Sequence, residues 1–193
     1  MTEGTQLWLI RHGETEWSRA GKLTGVTDVE VTERGRETER SLKSVLARES
    51  FVSVLSSPLQ RARKTCGLAG WQKSAAVEPD LMEWNYGAYE GLTTKEIQSA
   101  RPGWSVFHHG CPGGETPEQV ATRADRVVAK VRGANGNVAL FAHGHSLRVF
   151  AARWINLPPS FGEHLLLDTA TLCVLGYYYD TPALKSWNAP IAR

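Results

Sequence analysis

The sequence predicts an α/β fold with a largely parallel central sheet. Segments typical of strands alternate with segments typical of helices along most of the 193 residues, a pattern characteristic of parallel sheets covered by helices. Two of the apolar, strand-like runs are followed by His-Gly, at His12-Gly13 and at His143-Gly144. Ligands of open α/β sheets bind where the strands end, so we expect a functional site at that edge.

The first part of the chain predicts one strand, one long loop and one helix. Residues 7–10 are an apolar run that ends abruptly at polar residues, which indicates a buried strand. Residues 14–28 show no period and contain several Gly and Thr residues, so a loop is expected there. A helix over 32–49 follows, with Thr32 as its N-cap. Its apolar face would consist of Leu42, Val45 and Leu46, and its solvent-facing charges of Arg34, Arg36, Glu37, Glu39, Arg40 and Lys43.

The next part predicts short elements. Residues 51–55 are a second strand, and 56–58 would both end it and begin a helix, because Pro suits a first helical turn. That helix fades at Gly67 or Gly70, and 75–77 is a weak strand.

Two irregular stretches surround a short helix in the middle of the chain. Residues 81–91 are aromatic and interrupted by Gly, which indicates a loop. Thr93 or Thr94 would cap a helix that Pro102 ends. Residues 103–114 are expected to be irregular because Gly and Pro recur there.

The last part returns to regular alternation. A helix is expected over 116–132, because its first residues are Thr and Pro and its Val residues recur at helical spacing. Residues 137–142 are a strand, and 146–156 are a helix that two Pro residues stop. Residues 171–178 are predicted to be the final strand, and Pro190 to belong to a tail.

Composition and charge narrow the class of protein. The chain is 41% hydrophobic and 22% charged, which fits one globular domain with a sizeable core. A net charge of +2 without blocks of like charge argues against nucleic acid as a partner. No apolar run approaches the roughly 18 residues of a membrane-spanning helix, and residues 1–6 lack the features of a signal peptide. Scattered cysteines fit a reducing compartment, so we expect the cytoplasm; they are Cys66, Cys111 and Cys173.

Four basic side chains are expected to meet at one edge of the predicted sheet. If the strands that precede the two His-Gly pairs are parallel neighbours, His12 and His143 converge there, beside Arg11. Arg61 can face the same edge, as can free backbone N–H groups of the helix that follows His143. Guanidinium groups bind phosphate oxygens bidentately. Each residue alone is more simply explained as solvated or structural, but together they predict an anion site.

Four motifs, in order along the chain, resemble those of a known family. They are Arg-His-Gly-Glu-Thr at 11–15, Ser-Pro-Leu-Gln-Arg-Ala at 57–62, Glu-Trp-Asn-Tyr-Gly at 83–87 and Ala-His-Gly at 142–144. This combination resembles the histidine phosphatase superfamily, the phosphoglycerate mutase-like proteins, and most of all the branch that includes fungal sedoheptulose bisphosphatase. The resemblance covers about 7–178.

The resemblance implies a fold and a domain organisation. The fold would be a three-layer sandwich with a mostly parallel central sheet flanked by helices. Residues 1–193 would form a single histidine phosphatase domain, with an irregular, lid-like insertion around 80–115.

The resemblance also implies a role for each catalytic residue. His12 would attack phosphorus and carry the phosphoryl group, which splits one displacement into two easier steps. Arg11, Arg61 and His143 would grip the equatorial oxygens of the phosphoryl group. Glu83 would protonate the leaving alkoxide and then deprotonate the attacking water. Without the resemblance, Glu83 is more simply explained as a surface carboxylate.

A second set of residues is expected around the substrate. The family's first loop reaches the substrate at the positions of Ser18, Thr24 and Gly25, and Tyr86 would close over the phosphate. His145 follows the second His-Gly, but no third ligand with suitable spacing accompanies it, so no metal and no cofactor is expected. The predicted substrate-binding set is Ser18, Thr24, Gly25, Tyr86, Gly144 and His145, whereas His108 and His109 are expected to be solvated, and Glu115 and Arg148 structural.

The length of one segment separates two activities within the family. The family's mutases carry a long insertion with extra basic residues after the aromatic loop. Here the corresponding segment, 92–113, is short and contains only Lys95 and Arg101 as fixed cations. We therefore expect a metal-independent phosphatase of a small phosphorylated metabolite, acting through a phosphohistidine. A phosphoglycerate mutase is the nearest alternative, an inactive phospho-ligand binding module is a weaker one, and a homodimer is left open.

Overall fold

The computed structural model describes residues 5–190, so the predicted lack of a signal peptide falls largely outside the described residues. Six strands form one sheet in the order β3-β2-β4-β1-β5-β6. The strands are β1 (Leu7–Arg11), β2 (Phe51–Ser56), β3 (Ala76–Val77), β4 (Asn137–Ala142), β5 (Thr171–Tyr178) and β6 (Thr181–Pro190).

The first four strands are parallel to one another, and the last two run antiparallel to their neighbours. The prediction of a mostly parallel sheet is therefore confirmed. β1 and β4 lie side by side in the centre, with Arg11 opposite Ala142 in the register. The two segments that end in His-Gly consequently leave the sheet at the same edge.

Helices cover both faces of the sheet. Three of the predicted N-caps are confirmed. The side chains of Thr32, Thr93 and Thr116 each accept a backbone N–H of the first turn of a helix. Such caps satisfy a donor that the helix itself leaves unpaired. The helices are α1 (Glu16–Arg19), α2 (Glu33–Leu46), α3 (Gln60–Cys66), α4 (Thr94–Ala100), α5 (Val106–His109), α6 (Pro117–Arg132) and α7 (Gly144–Trp154).

Alternate residues of the central strands enter two separate cores, which makes the fold a three-layer sandwich. Leu9 of β1 belongs to the larger core, on the side of α6 and α7. Its neighbour Ile10 belongs to the smaller core, which includes Leu42 and Leu46 of α2. Successive strand side chains point to opposite faces, so a strand buried on both sides is apolar throughout. Full burial of each such side chain contributes about 1.5–3 kcal/mol.

Three helical segments differ from the prediction. α1 lies within the expected loop 14–28; Thr15 and Ser18 stabilise it with a reciprocal capping box. α5 lies within the stretch expected to be irregular, 103–114, and is a single turn between Gly-rich segments. α3 begins at Gln60, so Pro58 precedes the helix instead of starting it.

The C-terminal segment also differs from the prediction. Residues 181–190 are not a tail but the edge strand β6, which forms a hairpin with β5. The strand was missed because it contains two Pro residues and half-buried polar side chains, and Pro is tolerated at sheet edges. Trp187 packs against the larger core, and its indole N–H donates to Leu166 O at 2.6 Å.

Among residues 5–190, no helix is both long enough and apolar enough to span a bilayer.

Candidate active site

The rings of His12 and His143 lie together at the carboxyl edge of β1 and β4. Their centroids are 5.2 Å apart. The backbone N–H of His12 donates to Ala142 O at 3.1 Å, which continues the β1–β4 pairing beyond the strands. Two buried imidazoles thus share one point of the sheet edge.

His12 is a buried, neutral imidazole with one nitrogen held. Its Nδ1 lies 2.8 Å from Gly13 O. A carbonyl only accepts, so Nδ1 carries the proton and Nε2 carries the lone pair. Burial, with the nearby Arg61 and Arg11, holds the pKa of His12 well below its usual value of 6.5. The ring is therefore prepared to act as a nucleophile through Nε2.

His143 has the opposite tautomer. Arg61 Nε donates to His143 Nδ1 at 3.2 Å, so the proton sits on Nε2, which lies 2.7 Å from Ser57 Oγ. Burial, followed by the charge of Arg61 and by His12, lowers the pKa of His143 well below 6.5. Both of its ring nitrogens are thus occupied by protein groups.

Arg61 is fully buried and holds the first loop against the site. Its Nη1 donates to Thr27 O at 2.9 Å, and its Nη2 donates to Thr24 O at 3.0 Å and Gly25 O at 2.7 Å. Most of its donors are therefore bound to backbone carbonyls, in addition to His143.

Arg11, unlike Arg61, lines the cleft directly. Its Nη1 donates to Leu167 O, whereas its Nε is buried and has no partner among the described residues. A buried donor of this kind favours an anionic acceptor such as a phosphate oxygen. Coulombic attraction from two largely buried guanidinium groups strengthens such binding.

Glu83 is buried and caps helix α7. Its carboxylate accepts the backbone N–H of Trp84 at 2.9 Å, of His145 at 3.0 Å and of Ser146 at 2.8 Å. The sequence predicted that free N–H groups at the start of α7 would face the anion. For His145 and Ser146 this expectation is wrong, because their N–H groups donate to Glu83 instead. Burial acts to raise the pKa of Glu83, but His145 and the three donors outweigh it and lower the pKa below 4.5.

The first-loop residues differ in their relation to the cleft. Ser18 and Thr24 line it, although Ser18 Oγ also serves the cap of α1. Gly25 does not line it; its N–H donates to Glu90 Oε1 at 3.0 Å and its carbonyl binds Arg61. A side chain at Gly25 would meet Trp84 O at 2.5 Å, so this position requires a glycine for close packing.

Tyr86, Gly144 and His145 also line the cleft. Tyr86 Oη lies 2.5 Å from His145 Nδ1. Burial lowers the pKa of His145 to about 4, so this ring is neutral near pH 7. A Cβ at Gly144 would lie 3.2 Å from Arg11 Cζ, which explains the small residue beside the guanidinium.

The cleft has a volume of about 210 Å³ and includes residues that the sequence did not single out. Arg148, expected to be structural, both lines the cleft and stacks on Phe107 at 4.5 Å. His108 and His109 are exposed, as expected, and His108 pairs with Glu163 at 2.8 Å. The remaining unpredicted lining residues are Gly21, Lys22, Leu23, Thr94 and Leu167.

A layer of charged residues behind the site was largely missed. Glu90 holds the first loop through the N–H groups of Gly25 and Thr27. Glu115 binds Arg123 at 2.8 Å, and Arg123 donates to Glu83 O at 3.2 Å, so the structural role expected for Glu115 fits its contacts. Glu39, expected on the solvent face of its helix, is fully buried behind Gly13.

Within residues 5–190, no group of three or more His, Cys, Asp or Glu side chains is arranged to hold a metal ion.

Known proteins resemble this chain over three quarters or more of its length. A model of the histidine phosphatase superfamily (branch 1) matches residues 7–190. An acid phosphatase of Mycobacterium tuberculosis (strain H37Rv) is 41% identical over 184 residues, which span 93% of this chain and 90% of that protein. Sedoheptulose 1,7-bisphosphatase of Saccharomyces cerevisiae is 35% identical over 181 residues, which span 77% of this chain and 67% of that protein.

A solved structure shows that the whole fold is shared. The product of open reading frame Rv3214 of Mycobacterium tuberculosis matches with a TM-score of 0.92 and 36% sequence identity. The match spans 97% of this chain and 99% of that one.

Proposed function

Since this chain belongs to branch 1 of the histidine phosphatase superfamily and is a phosphatase, we propose that it hydrolyses small phosphate monoesters through a phosphohistidine at His12. One observation carries the proposal: a neutral His12, whose Nδ1 is bound, lines the same cleft as Arg11, and neither His12 Nε2 nor Arg11 Nε has a hydrogen-bond partner among residues 5–190. Nucleophile and anion donor thus share one cleft.

In the first step, the lone pair of His12 Nε2 forms a bond to phosphorus while the bond from phosphorus to the alkoxide oxygen breaks. Arg11 stabilises the charge that spreads over the equatorial oxygens. Arg61 contributes its charge and keeps His143 and the first loop in place. His143 is proposed as the remaining phosphate contact, reached when its Nε2–H turns from Ser57 to an oxygen.

Glu83 supplies the proton that the leaving alkoxide needs. The dianionic phosphate disfavours a second negative charge nearby and so raises the pKa of this carboxyl when substrate binds. In the second step, the carboxylate accepts a proton from water, whose oxygen attacks phosphorus and releases His12. Such a positioned acid and base contributes about 10²–10⁴-fold.

The cleft supports a small metabolite as the substrate. Its volume of about 210 Å³ suits a sugar phosphate or a compound of similar size. Ser18, Thr24, Tyr86 and His145 offer hydroxyl and imidazole groups to such a leaving group. The names of the relatives, an acid phosphatase and a sugar bisphosphatase, support this class.

We also propose that the protein works in a reducing compartment such as the cytoplasm. Its three cysteines are all unpaired. Disulfides persist in oxidising compartments, so three free thiols fit the proposal.

A substrate screen tests the proposed function. The full chain is assayed with p-nitrophenyl phosphate and a panel of sugar phosphates, with and without excess EDTA. We expect hydrolysis that EDTA does not abolish, and little conversion of 3- to 2-phosphoglycerate in a coupled assay. Absence of hydrolysis on every ester, or activity that only a divalent ion restores, contradicts the proposal.

A further inference from the structure

Glu39 lies at the centre of the buried face of α2, although the mechanism above does not use it. The residues of this face are Gly35, Glu39, Leu42 and Leu46, at helical spacing. The Glu39 side chain is 0% exposed. A buried carboxyl costs free energy unless its contacts compensate, so its partners indicate its purpose.

One partner is the loop that carries the nucleophile. The backbone N–H of Gly13 donates to Glu39 Oε1 at 2.6 Å. A Cβ at position 13 would lie 2.4 Å from that oxygen, so the contact requires the glycine. The carbonyl of the same Gly13 accepts from His12 Nδ1. Glu39 therefore fixes the residue that sets the tautomer of the nucleophile.

The same helix holds the rest of this loop. Thr32 N donates to Glu14 O at 2.8 Å, and Thr32 Oγ1 donates to Glu14 Oε1 at 2.9 Å. A Cβ at Gly35 would lie 2.7 Å from Glu14 O. The N-terminal half of α2 and its N-cap thus support residues 13–14, and Glu39 makes the most deeply buried of these contacts.

The second partner of Glu39 is the helix that carries Arg61. Thr65 Oγ1 donates to Glu39 Oε1 and also lies 2.7 Å from Arg61 O, one turn earlier in α3. Arg61 in turn contacts His143. One oxygen of Glu39 consequently joins the nucleophile's loop to the helix of the phosphate-site arginine.

The surroundings of Glu39 offset little of the cost of a buried charge. Among residues 5–190 no Lys, Arg or His forms an ion pair with Glu39, and its Oε2 has no hydrogen-bond partner. Burial raises its pKa above 4.5, against smaller lowering effects of Thr65, Gly13, Arg36 and Arg40. A neutral side chain that offers one oxygen is all that the two contacts require.

We propose that Glu39 is a positioning residue that holds Gly13, and through it the His12 ring, in register with the Arg61 helix. This inference rests on the proposed function, because it concerns the geometry of phosphoryl transfer to His12. A misplacement of a catalytic group by about 1 Å can lower the rate about 10²-fold. A residue that supports the loop of the nucleophile therefore affects the rate without touching substrate.

Two substitutions at Glu39 test the proposal. Glu39→Ala removes the oxygen, whereas Glu39→Gln keeps an uncharged oxygen of the same reach. The measurements are kcat and KM for p-nitrophenyl phosphate, and the rate of His12 phosphorylation per active site in a rapid-quench experiment. We expect Glu39→Ala to lower kcat and the phosphorylation rate about 10–100-fold, with KM within about 3-fold. Glu39→Gln should stay within about 3-fold of wild type in all three.

The exposed carboxylate Glu37 of the same helix provides the matched control. Glu37→Ala should leave every value unchanged. If Glu39→Ala loses only folded protein, with a wild-type rate per titrated site, the proposal is overturned; it is also overturned if Glu39→Gln is as slow as Glu39→Ala. A wild-type protein that hydrolyses no ester contradicts the proposed function instead, so the two failures are distinguishable.

Thr65→Val keeps the test decisive if Glu39→Ala does not fold. It removes the Thr65 hydroxyl, and with it the link to α3, while the Gly13 contact remains. We expect kcat and the phosphorylation rate to be about 3–10-fold lower, with KM within about 3-fold of wild type. Wild-type kcat in Thr65→Val contradicts the link.

Discussion

The two His-Gly corners, at 12–13 after β1 and at 143–144 after β4, contain the same dipeptide but different chemistry. At His12 one nitrogen is bound to a carbonyl, and the other has no hydrogen-bond partner among residues 5–190. At His143 both nitrogens are bound, to Arg61 and to Ser57. The proton therefore sits on opposite nitrogens of two rings 5.2 Å apart. The neighbours of a histidine, and not its motif, decide whether it can attack phosphorus.

The backbone behind the two corners differs as well. After His12 the chain forms a loop that rests on α2 through Glu39 and Gly13. After His143 the chain enters α7 at once, and the first N–H groups of that helix hold Glu83. In the proposed mechanism, one corner thus presents the nucleophile, and the other positions the group that exchanges protons with the leaving oxygen.

Removing each imidazole in turn gives the largest expected difference. His12→Ala should abolish turnover of p-nitrophenyl phosphate, because the covalent path has no other nucleophile in our account. His143→Ala should lower kcat about 10²–10³-fold, the effect of one lost donor to the transition state, and should still form a phosphoenzyme. Steady-state kinetics of both variants check this. Equal residual activity would remove the distinction between the two corners.

Glu83→Gln sharpens the role of the second corner. An alkoxide leaving group needs a proton and p-nitrophenolate does not, so the loss should depend on the ester. We expect kcat/KM to fall about 10²–10⁴-fold for a sugar phosphate and much less for p-nitrophenyl phosphate. The measurement is the loss of kcat/KM for the sugar phosphate divided by the loss of kcat/KM for p-nitrophenyl phosphate. Similar losses on both esters would show that Glu83 acts mainly by holding α7.

The pH dependence of stability gives the smallest expected effect. The folded protein keeps His12 and His143 neutral, whereas the unfolded chain takes up protons below about pH 6.5. The unfolded state thus binds more protons in acid, so the free energy of unfolding falls as pH falls below 6.5. Each histidine contributes up to about 1.4 kcal/mol per pH unit.

Urea unfolding between pH 5 and 7 measures this slope. His143→Gln should flatten it by up to about 1.4 kcal/mol per pH unit, whatever its effect on stability at pH 7. An identical slope in His143→Gln would mean that this ring is not held neutral.

The sequence predicted the parts of the site that depend on strand order and local caps. The apolar runs before His12 and His143 form the predicted strands, and Thr32, Thr93 and Thr116 cap the helices that were expected. Strands and caps are local features, so the pattern of the chain contains them, whereas the parallel pairing of β1 with β4 was a condition of the prediction. The roles of the site residues remain predictions of the family resemblance.

The features that were missed depend on contacts between distant segments. Glu39 was assigned to solvent because it is charged, although its spacing with Gly35, Leu42 and Leu46 already marks a buried face. The donors of Arg61 point to loop carbonyls that lie 34 to 37 positions away. Only the folded loop brings such acceptors together, so no periodicity could reveal them.

The most direct test of the central claim is to trap the phosphoenzyme and locate it. Protein turning over a labelled phosphate ester is denatured at alkaline pH, which preserves phosphohistidine, and its peptides are sequenced by mass spectrometry. We predict label on the peptide that contains His12, about one per active chain, and none on the peptide that contains His143. Label on His143, or hydrolysis without any labelled histidine, would contradict the account.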